Sequence, residues 1–205
     1  MKKTMKFREI CQYDLLRENI TSVKESSFDD NNKRSLVADH RLVVDFDRAK
    51  QNLTAKMHKS EDGTKSVDAL SSNGDKTLFI EFKNEPINSS GKLKIRIKAI
   101  DSILIWSEIT RKKWYEFRDD IEFILVYSKE KNKNKVRNEF EKSQNEIHDH
   151  FMNLAGKEMV YFEMSELANY HFAAVHTYNE DEFIQYMDDY LDRDCTGPMS
   201  RFKTN

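Results

Sequence analysis

The sequence predicts an α/β fold in which helices pack on the faces of a mixed sheet within a single domain. Short apolar runs rich in Val, Ile, Leu and Phe alternate along the chain with longer segments of helical periodicity, as the strands and helices of one sheet do. The 205 residues are 38% hydrophobic, which is enough to fill one buried core. Only 5 Gly and 2 Pro are present, too few for a disordered or repetitive architecture.

The individual elements follow from local periodicity and turn signals. The expected helices cover residues 13–24, 92 to near 114, 135–154 and a segment that begins after a cap at 179. The expected strands cover residues 42–46, 66–70, 77–84, 121–127 and 171–176, with a short strand or turn at 159–163. The remaining predictions are a polar linker over 26–34, a domain over 1–195 and a loose tail over 196–205.

A β-hairpin in the first half of the chain is well defined. Asn73-Gly74 is a strong turn signal, and it stands between two runs rich in Val, Leu, Ile and Phe. Successive side chains of a strand point to opposite faces, so Glu81 and Lys83 share one face with their backbones about 7 Å apart. Asp68 lies before the turn and is expected to stand opposite them.

Two carboxylates that converge on one point suit a hard divalent cation such as Mg²⁺ or Mn²⁺, which prefers oxygen ligands. An ammonium beside them, as Lys83 would supply, can orient a metal-bound water and offset charge that develops on a phosphate. The three groups therefore predict chemistry on phosphate esters. The alternative is an exposed hairpin that carries three ordinary charges.

Asp68 followed by Glu81-Phe82-Lys83 resembles the PD-(D/E)XK nuclease superfamily. The resemblance implies a restriction-endonuclease-like mixed sheet and metal-dependent cleavage of phosphodiester bonds in DNA or RNA. It also implies that Asp68, Glu81 and the main-chain carbonyl of Phe82 hold Mg²⁺ or Mn²⁺, and that Lys83 orients the attacking water. Val67 stands where the superfamily usually has proline.

The same resemblance bears on two other parts of the chain. Many members supply a further acid from the first helix, for which Glu18 and Glu25 are both candidates here. The string Ile80 to Asn84, with a lysine and Asp-Ser further on, is also similar to a group of bacterial proteins that share an FIEFKN … K..DSL pattern. This chain has Ile103 where that pattern has Leu.

The helix expected from residue 92 has two distinct stripes. Its apolar stripe, which is expected to be buried, consists of Leu93, Ile97, Ile100 and Leu104. Lys94, Lys98, Asp101 and Ser102 fall on another stripe. Superfamily members often present a polar residue to the site from this helix, which makes Lys98 a candidate catalytic residue that contacts or orients the phosphate. In the alternative, Lys98 and Asp101 form an ion pair on a solvated helix face.

The charge distribution favours a nucleic-acid partner although the net charge is −2. Residues 92–118 carry eight basic and three acidic side chains, whereas residues 180–194 carry seven acids and one Arg. A basic working face and an acidic back would suit phosphate binding. The lysine-rich run 129–135 is expected to be a solvated turn rather than a contact.

Other classes of protein are disfavoured. Cys11 and Cys195 lie far apart and lack metal-ligand spacing, and His171 and His176 are expected to be core or edge residues rather than catalytic ones. No apolar run approaches the roughly 18 residues of a membrane span, and the N-terminus lacks the apolar core of a signal peptide. A cytoplasmic protein without a membrane partner is therefore expected.

Two functions remain after these exclusions. The favoured one is a Mg²⁺-dependent phosphodiesterase, a nuclease that acts on DNA or RNA in phage defence or in a toxin system. The alternative is a non-catalytic nucleic-acid-binding or protein-interaction module on the same fold, in which Glu81 and Lys83 simply pair. No accessory recognition domain is visible, so specificity is expected to come from loops, from a homodimer or from a partner protein.

Overall fold

The computed structural model describes residues 6–60, 63–144, 158–168, 170–191 and 195. The α-helices of these ranges are α1 (Phe7–Ile10), α2 (Asp14–Arg17), α3 (Val23–Ser26), α4 (Phe46–Lys56), α5 (Ser89–Thr110), α6 (Lys129–Gln144) and α7 (Glu180–Tyr190). The strands are β1 (Ile20–Ser22), β2 (Phe28–Asp29), β3 (Arg34–Ser35), β4 (Leu42–Asp45), β5 (Ala69–Ser72), β6 (Thr77–Lys83), β7 (Ile121–Tyr127) and β8 (Ala174–Asn179).

Six strands form one mixed sheet in the order β1-β4-β5-β6-β7-β8. The pairs from β1 to β6 are antiparallel, and the pairs β6–β7 and β7–β8 are parallel. Helix α5 makes the crossover that the parallel β6–β7 pair requires. The mixed α/β single domain that the sequence predicts is therefore confirmed, and β2 and β3 form a separate small ribbon.

The sheet separates two apolar clusters. The larger one contains Phe79 and side chains of α1, α2, α4 and α5, whereas the smaller one contains Leu78 and Ile80 with side chains of α3 and α7. Side chains along β6 therefore alternate as predicted. Glu81 and Lys83 project on the same face as Phe79, the face that α5 covers.

The hairpin turn and the last helix also agree with the sequence. Gly74 has a φ of 90°, the left-handed conformation that glycine adopts at low cost, at the turn between β5 and β6. The side chain of Asn179 caps α7, and Glu182 completes the capping box. None of the helices in the described part of the chain is long and apolar enough to cross a membrane.

The helix expected over residues 13–24 is wrong. This segment divides into α2, β1 and α3, and the side chain of Asn19 donates to the carbonyl of Leu15 where α2 ends. Residues 20–22 then pair with 42–44 in the sheet. Pairing with a distant strand outweighs the local helical periodicity here, and part of the expected polar linker becomes β2.

The buried stripe expected on the helix after the hairpin is also wrong. Leu93 and Leu104 are 60% and 62% exposed, and Ile97 and Ile100 are 42% and 38% exposed. Ile95, Ala99, Ser102, Ile103 and Trp106 face the protein instead. Apolar residues occur on both sides of α5, so local periodicity alone does not determine which side packs on the sheet.

In the second half of the chain, two elements begin at other residues than the sequence predicts. The lysine-rich run expected to be a turn forms the first turns of α6, and the expected strand near residue 171 begins at Ala174. Residues 162–163 form a turn, which was one of the two alternatives for that segment. The expected helical residues 145–154 and the expected tail 196–205 lie outside the described residues.

Candidate active site

The β5–β6 hairpin brings Asp68 and Glu81 together. Ala69, the first residue of β5, pairs with Ile80, so Asp68 stands opposite Glu81 across the hairpin. The main-chain N–H of Phe82 donates to Oδ2 of Asp68 over 2.7 Å. This bond holds the aspartate against the end of β6, and the other carboxylate oxygen, Oδ1, contacts Lys98.

Lys98 occupies the point where the two carboxylates converge. Its Nζ lies 2.9 Å from Oδ1 of Asp68 and 2.8 and 2.9 Å from the two carboxylate oxygens of Glu81. The alternative ion pair within the helix does not form, because Asp101 instead accepts a hydrogen bond from the main-chain N–H of Lys65 over 2.9 Å. Lys98 therefore lies against Asp68 and Glu81, and its expected contact with a phosphate stays a prediction, whereas Lys94 is exposed to solvent.

Ser102 links the helix to the hairpin beside these groups. Its Oγ accepts a hydrogen bond from the main-chain N–H of Val67 over 2.8 Å and donates one to the carbonyl of Lys98 over 2.7 Å. Val67 is the neighbour of Asp68 in the chain, and the second bond is to Lys98 itself, so both bonds act on the charged residues directly. Buried hydrogen bonds of this kind fix α5 against the start of β5, so Lys98 is held over the carboxylates.

Lys83 completes the charged group from β6. Its Nζ lies 3.2 Å from Oε1 of Glu81 and 3.8 Å from Oε1 of Glu85, and its side chain is 17% exposed. Its carbonyl accepts a hydrogen bond from the main-chain N–H of Ser128 over 3.0 Å, towards β7. Main-chain groups alternate between the two edges of a strand, so the carbonyl of Phe82 faces the other edge, on the side of Asp68.

The electrostatics of the site are dominated by burial. The side chain of Glu81 is fully buried, and this burial, reinforced by the charge of Asp68, raises the pKa of Glu81 to about 7. Burial opposes the charged form of Lys98, but the two carboxylates outweigh it and raise the pKa of its ammonium. The side chain of Lys98 therefore stays positively charged, whereas Glu81 can gain or lose a proton near neutral pH.

The charged group opens into a pocket of about 240 Å³. Its lining includes Asp68, Lys83 and Lys98 together with the segment 26–31. Because part of this lining comes from the segment around β2, a distant part of the chain closes the site. The pocket is large enough for a phosphate group together with part of the nucleotide that carries it.

Two polar side chains at this pocket lack partners among the described residues. Both amide atoms of Asn84 and the Oγ of Ser26 are buried without a hydrogen bond. The backbone of Asn84 is fixed, because its carbonyl accepts a hydrogen bond from Nζ of Lys131 over 2.7 Å. Buried polar groups without partners are costly and rare, so they are expected where a ligand supplies the missing bonds.

The sequence pattern points to the charged residues of this cluster but not to Asn84 or Ser26. Asn84 follows Lys83 directly and belongs to the string that carries the second resemblance, so its position was a usable signal. Ser26 had no such signal, because only the folded chain brings it to the pocket. Neither Glu18 nor Glu25 lines the pocket, and Glu25 instead accepts a hydrogen bond from Thr21 and caps α3.

The donor set can be tested against the expected metal. The described residues contain no group of three His, Cys, Asp or Glu side chains that could hold a metal ion. Asp68 and Glu81 nevertheless direct three carboxylate oxygens to one cationic nitrogen. Hard oxygens in this arrangement fit Mg²⁺ or Mn²⁺, which bind through one or two carboxylates and keep several waters. The carbonyl of Phe82 lies on the edge of β6 that faces Asp68, so it could serve as a further oxygen ligand.

A second cluster of charges lies on the other face of the sheet. Nδ1 of His176 is 2.7 Å from Oε2 of Glu158, its Nε2 is 3.7 Å from Oε2 of Glu122, and its ring stacks on Tyr178. Burial opposes protonation, but the two glutamates outweigh it and raise the pKa of His176 to about 9. The expectation of an edge histidine agrees with this position on β8. His148 and His150, which are not expected to form a metal pair because their i, i+2 spacing puts them on different helix faces, lie outside the described residues.

Comparisons of the chain with protein-family models, with curated proteins and with solved structures find no match.

Proposed function

We propose that this protein is a nuclease that uses Mg²⁺ or Mn²⁺ to hydrolyse phosphodiester bonds in DNA or RNA, on a restriction-endonuclease-like fold. One observation carries the proposal. Three carboxylate oxygens of Asp68 and Glu81 converge within 2.9 Å of a single cationic nitrogen, beside a pocket that Lys83 also lines. This arrangement already binds one cation, and its oxygens are of the type that a divalent metal prefers.

Each residue then has a definite task. Asp68, Glu81 and the carbonyl of Phe82 hold the metal, which when bound supplies a Lewis acid for the phosphate and lowers the pKa of a water. Lys83 orients that water and stabilises negative charge that develops on the phosphate. Its ammonium is suited to this role because it contacts Glu81 and also borders the pocket.

Lys98 has a role in the site both with and without a divalent metal. Two carboxylates in a buried place repel each other, and the Lys98 ammonium neutralises that repulsion in the metal-free protein. With a divalent metal on the carboxylates, the Lys98 ammonium, which also lines the pocket, would be available to contact the phosphate. The Lys98 cation therefore offsets the charge of the two carboxylates without blocking the site permanently.

The pocket supports a nucleic-acid substrate. The unpartnered amide of Asn84 and hydroxyl of Ser26 supply donors and acceptors for a phosphate oxygen or a base edge, next to the reacting groups. The exposed aromatic side chain of Phe28 lines the same pocket and offers a face for a base. A role in phage defence or in a toxin system, and a cytoplasmic location, belong to this proposal.

A second function is favoured by the same contacts. Lys98 engages three of the four carboxylate oxygens of Asp68 and Glu81, while Phe82 N–H engages the fourth, so the cluster is complete without a metal. A non-catalytic module that binds nucleic acid or a protein would keep such a cluster for its structure alone. The two functions differ in their response to metal.

Thermal unfolding with and without divalent metal separates them. Millimolar Mg²⁺ or Mn²⁺ should raise the melting temperature of the nuclease relative to EDTA, because a ligand that binds the folded state stabilises it by mass action. The double variant Asp68→Asn with Glu81→Gln should lose this response. The control variant Asp75→Asn, which changes an exposed acid in the turn of the same hairpin, should keep it.

The matching activity assay uses single- and double-stranded DNA and RNA with Mg²⁺, Mn²⁺ or EDTA. Cleavage should require metal and should disappear in the double variant. A wild-type protein that shows neither a metal-dependent rise in melting temperature nor metal-dependent cleavage would overturn the proposed nuclease: either the site assignment is wrong or the protein is an inactive relative.

A further inference from the structure

Helix α5 carries an apolar stripe on its outer side. Leu93 and Leu104 are 60% and 62% exposed, and Ile97 and Ile100 lie between them at 42% and 38%. The inner side of the same helix is apolar as well, because Ile95 and its neighbours pack into the core. A helix that is apolar on both sides is typical of a buried position rather than of a protein surface.

The spacing of the stripe is that of a helix pair. From Leu93 to Leu104 the steps are four, three and four residues, the alternation that defines the a and d positions of a coiled coil. This pattern places all four side chains along one narrow seam. Such a seam packs against another helix more closely than against a sheet or a loop.

We propose that the outer face of α5 pairs with α5 of a second copy of this chain, antiparallel about a two-fold axis, to form a homodimer. The stripe is nearly symmetric about its midpoint, with leucine at each end and isoleucine at each inner position. In the antiparallel pair Leu93 packs on the partner's Leu104, and Ile97 packs on the partner's Ile100. An isologous interface requires this kind of self-complementary surface.

The charges beside the seam are complementary in the same arrangement. Lys94 and Asp101 are seven residues apart, so they lie on the same side of the seam, one towards each end. Lys94 is exposed and has no ion-pair partner within the described ranges. In the antiparallel pair Lys94 comes next to the partner's Asp101, and the two-fold axis repeats this contact. Oδ2 of Asp101 also accepts the hydrogen bond from the main-chain N–H of Lys65, which fixes the position of the carboxylate beside the seam. The opposed helix dipoles add to the attraction.

The available area predicts a dimer of moderate strength. Four partly exposed aliphatic side chains supply a few hundred Å² of apolar surface on each copy. Stable interfaces bury roughly 800 Å² per partner, so the seam supplies about half and the flanking polar residues must supply the rest. Interfaces below the standard size are typical of weak, reversible association, so we expect a dimer that dissociates on dilution. This inference does not depend on nuclease activity, although Lys98 lies on the same helix.

Sedimentation of the full chain across the micromolar range tests the proposal. The wild-type protein should pass from monomer to dimer as its concentration rises. The variant Leu93→Glu with Leu104→Glu should stay monomeric at every concentration, with a melting temperature close to that of the wild-type monomer, because both side chains are mostly exposed. The control variant Phe140→Glu changes a 41% exposed apolar residue on α6 and should still dimerise.

Charge exchange tests the antiparallel direction. Lys94→Glu alone and Asp101→Lys alone should each weaken the dimer several-fold, since each places like charges together. A mixture of these two variants should recover wild-type affinity, because each remaining pair then joins opposite charges. A wild-type protein that remains monomeric throughout, or a Leu93/Leu104 variant that dimerises normally, would overturn the proposal. Failure of the mixture to recover affinity would overturn the antiparallel arrangement.

Discussion

The two faces of the sheet each hold a cation between two carboxylates, and the two clusters differ in how deeply they are buried. On the α5 face, Lys98 lies between Asp68 and a Glu81 side chain that has no exposed surface. On the other face, His176 lies between Glu122 and Glu158, and the Glu158 side chain is 40% exposed. Water can therefore solvate the second cluster but not the centre of the first.

This difference in burial assigns different roles to the clusters. A partly exposed histidine pair can lose its charge to solvent at modest cost, as ordinary surface ion pairs do. A fully buried glutamate cannot lose its cation unless a proton or another cation replaces it. The Lys98 cluster is thus suited to exchange one cation for another, whereas the His176 cluster fastens β8 to its neighbours.

The largest expected effect on stability comes from removing the Lys98 ammonium. Lys98→Met should lower the free energy of unfolding by about 3–5 kcal/mol in EDTA, because it removes the ion pair of Asp68 and leaves the fully buried Glu81 with only the Lys83 ammonium, 3.2 Å away. The matched variant His176→Gln should cost only about 1 kcal/mol, the scale of a partly exposed pair. Urea denaturation above pH 7, where Glu81 must ionise, measures both values.

Equal losses of unfolding free energy in the two variants would mean that the two clusters do not differ in the way proposed. Recovery of the stability of the Lys98→Met variant in millimolar Mg²⁺ would support the difference, since a metal ion would then replace the missing ammonium. The same titration on the His176→Gln variant should give no recovery beyond the wild-type response.

The next effect concerns Lys83, which belongs to the first cluster but does not hold it together. Lys83→Ala should reduce the cleavage rate by about a hundredfold, the usual cost of losing one group that stabilises a transition state. Stability should change by about 1 kcal/mol or less, because Lys98 still pairs with Glu81. The metal-dependent rise in melting temperature should persist.

Single-turnover cleavage assays on the Lys83→Ala variant measure this effect. Glu85→Gln is the control, since it removes only the longer contact of Lys83 at 3.8 Å and should leave the rate within a few-fold of wild type. Full activity of Lys83→Ala, traced to the protein itself, would rule out the mechanism proposed for this residue.

The smallest effect is a difference in pH dependence. The pKa of Glu81 rises from 4.5 to about 7 on folding, so its stabilising contribution is complete below about 4.5 and disappears as the pH approaches 7. The pKa of His176 rises from 6.5 to about 9, so its contribution is complete below about 6.5 and disappears as the pH rises through 9. Both clusters lose stability with rising pH, in successive windows.

Melting temperatures measured from pH 4 to 10 in EDTA should resolve the two windows. Glu81→Gln should remove the pH dependence of the lower window only, and His176→Gln that of the upper window only. Metal affinity should also rise as the pH passes 7, because the metal binds the ionised form of Glu81. A lower window that persists in Glu81→Gln would assign it to another carboxylate.

The sequence by itself determined the parts of the site that depend on local rules. The Asn73-Gly74 turn and the alternation of side chains along β6 were sufficient to place Asp68, Glu81 and Lys83 around one point. Turn geometry and the two-residue period of a strand act over a few residues, so they can be read without the rest of the chain. The cap at Asn179 was predictable for the same reason.

Only the tertiary structure decided the features that depend on distant partners. Pairing with β4 turned residues 20–22 from an expected helix into a strand, and packing on the sheet selected the inner face of α5 over the stripe expected to be buried. The same packing directed Lys98 to the carboxylates and brought Ser26 to the pocket. These choices depend on contacts between residues far apart in the chain, where several local patterns are compatible with the sequence and packing selects one of them.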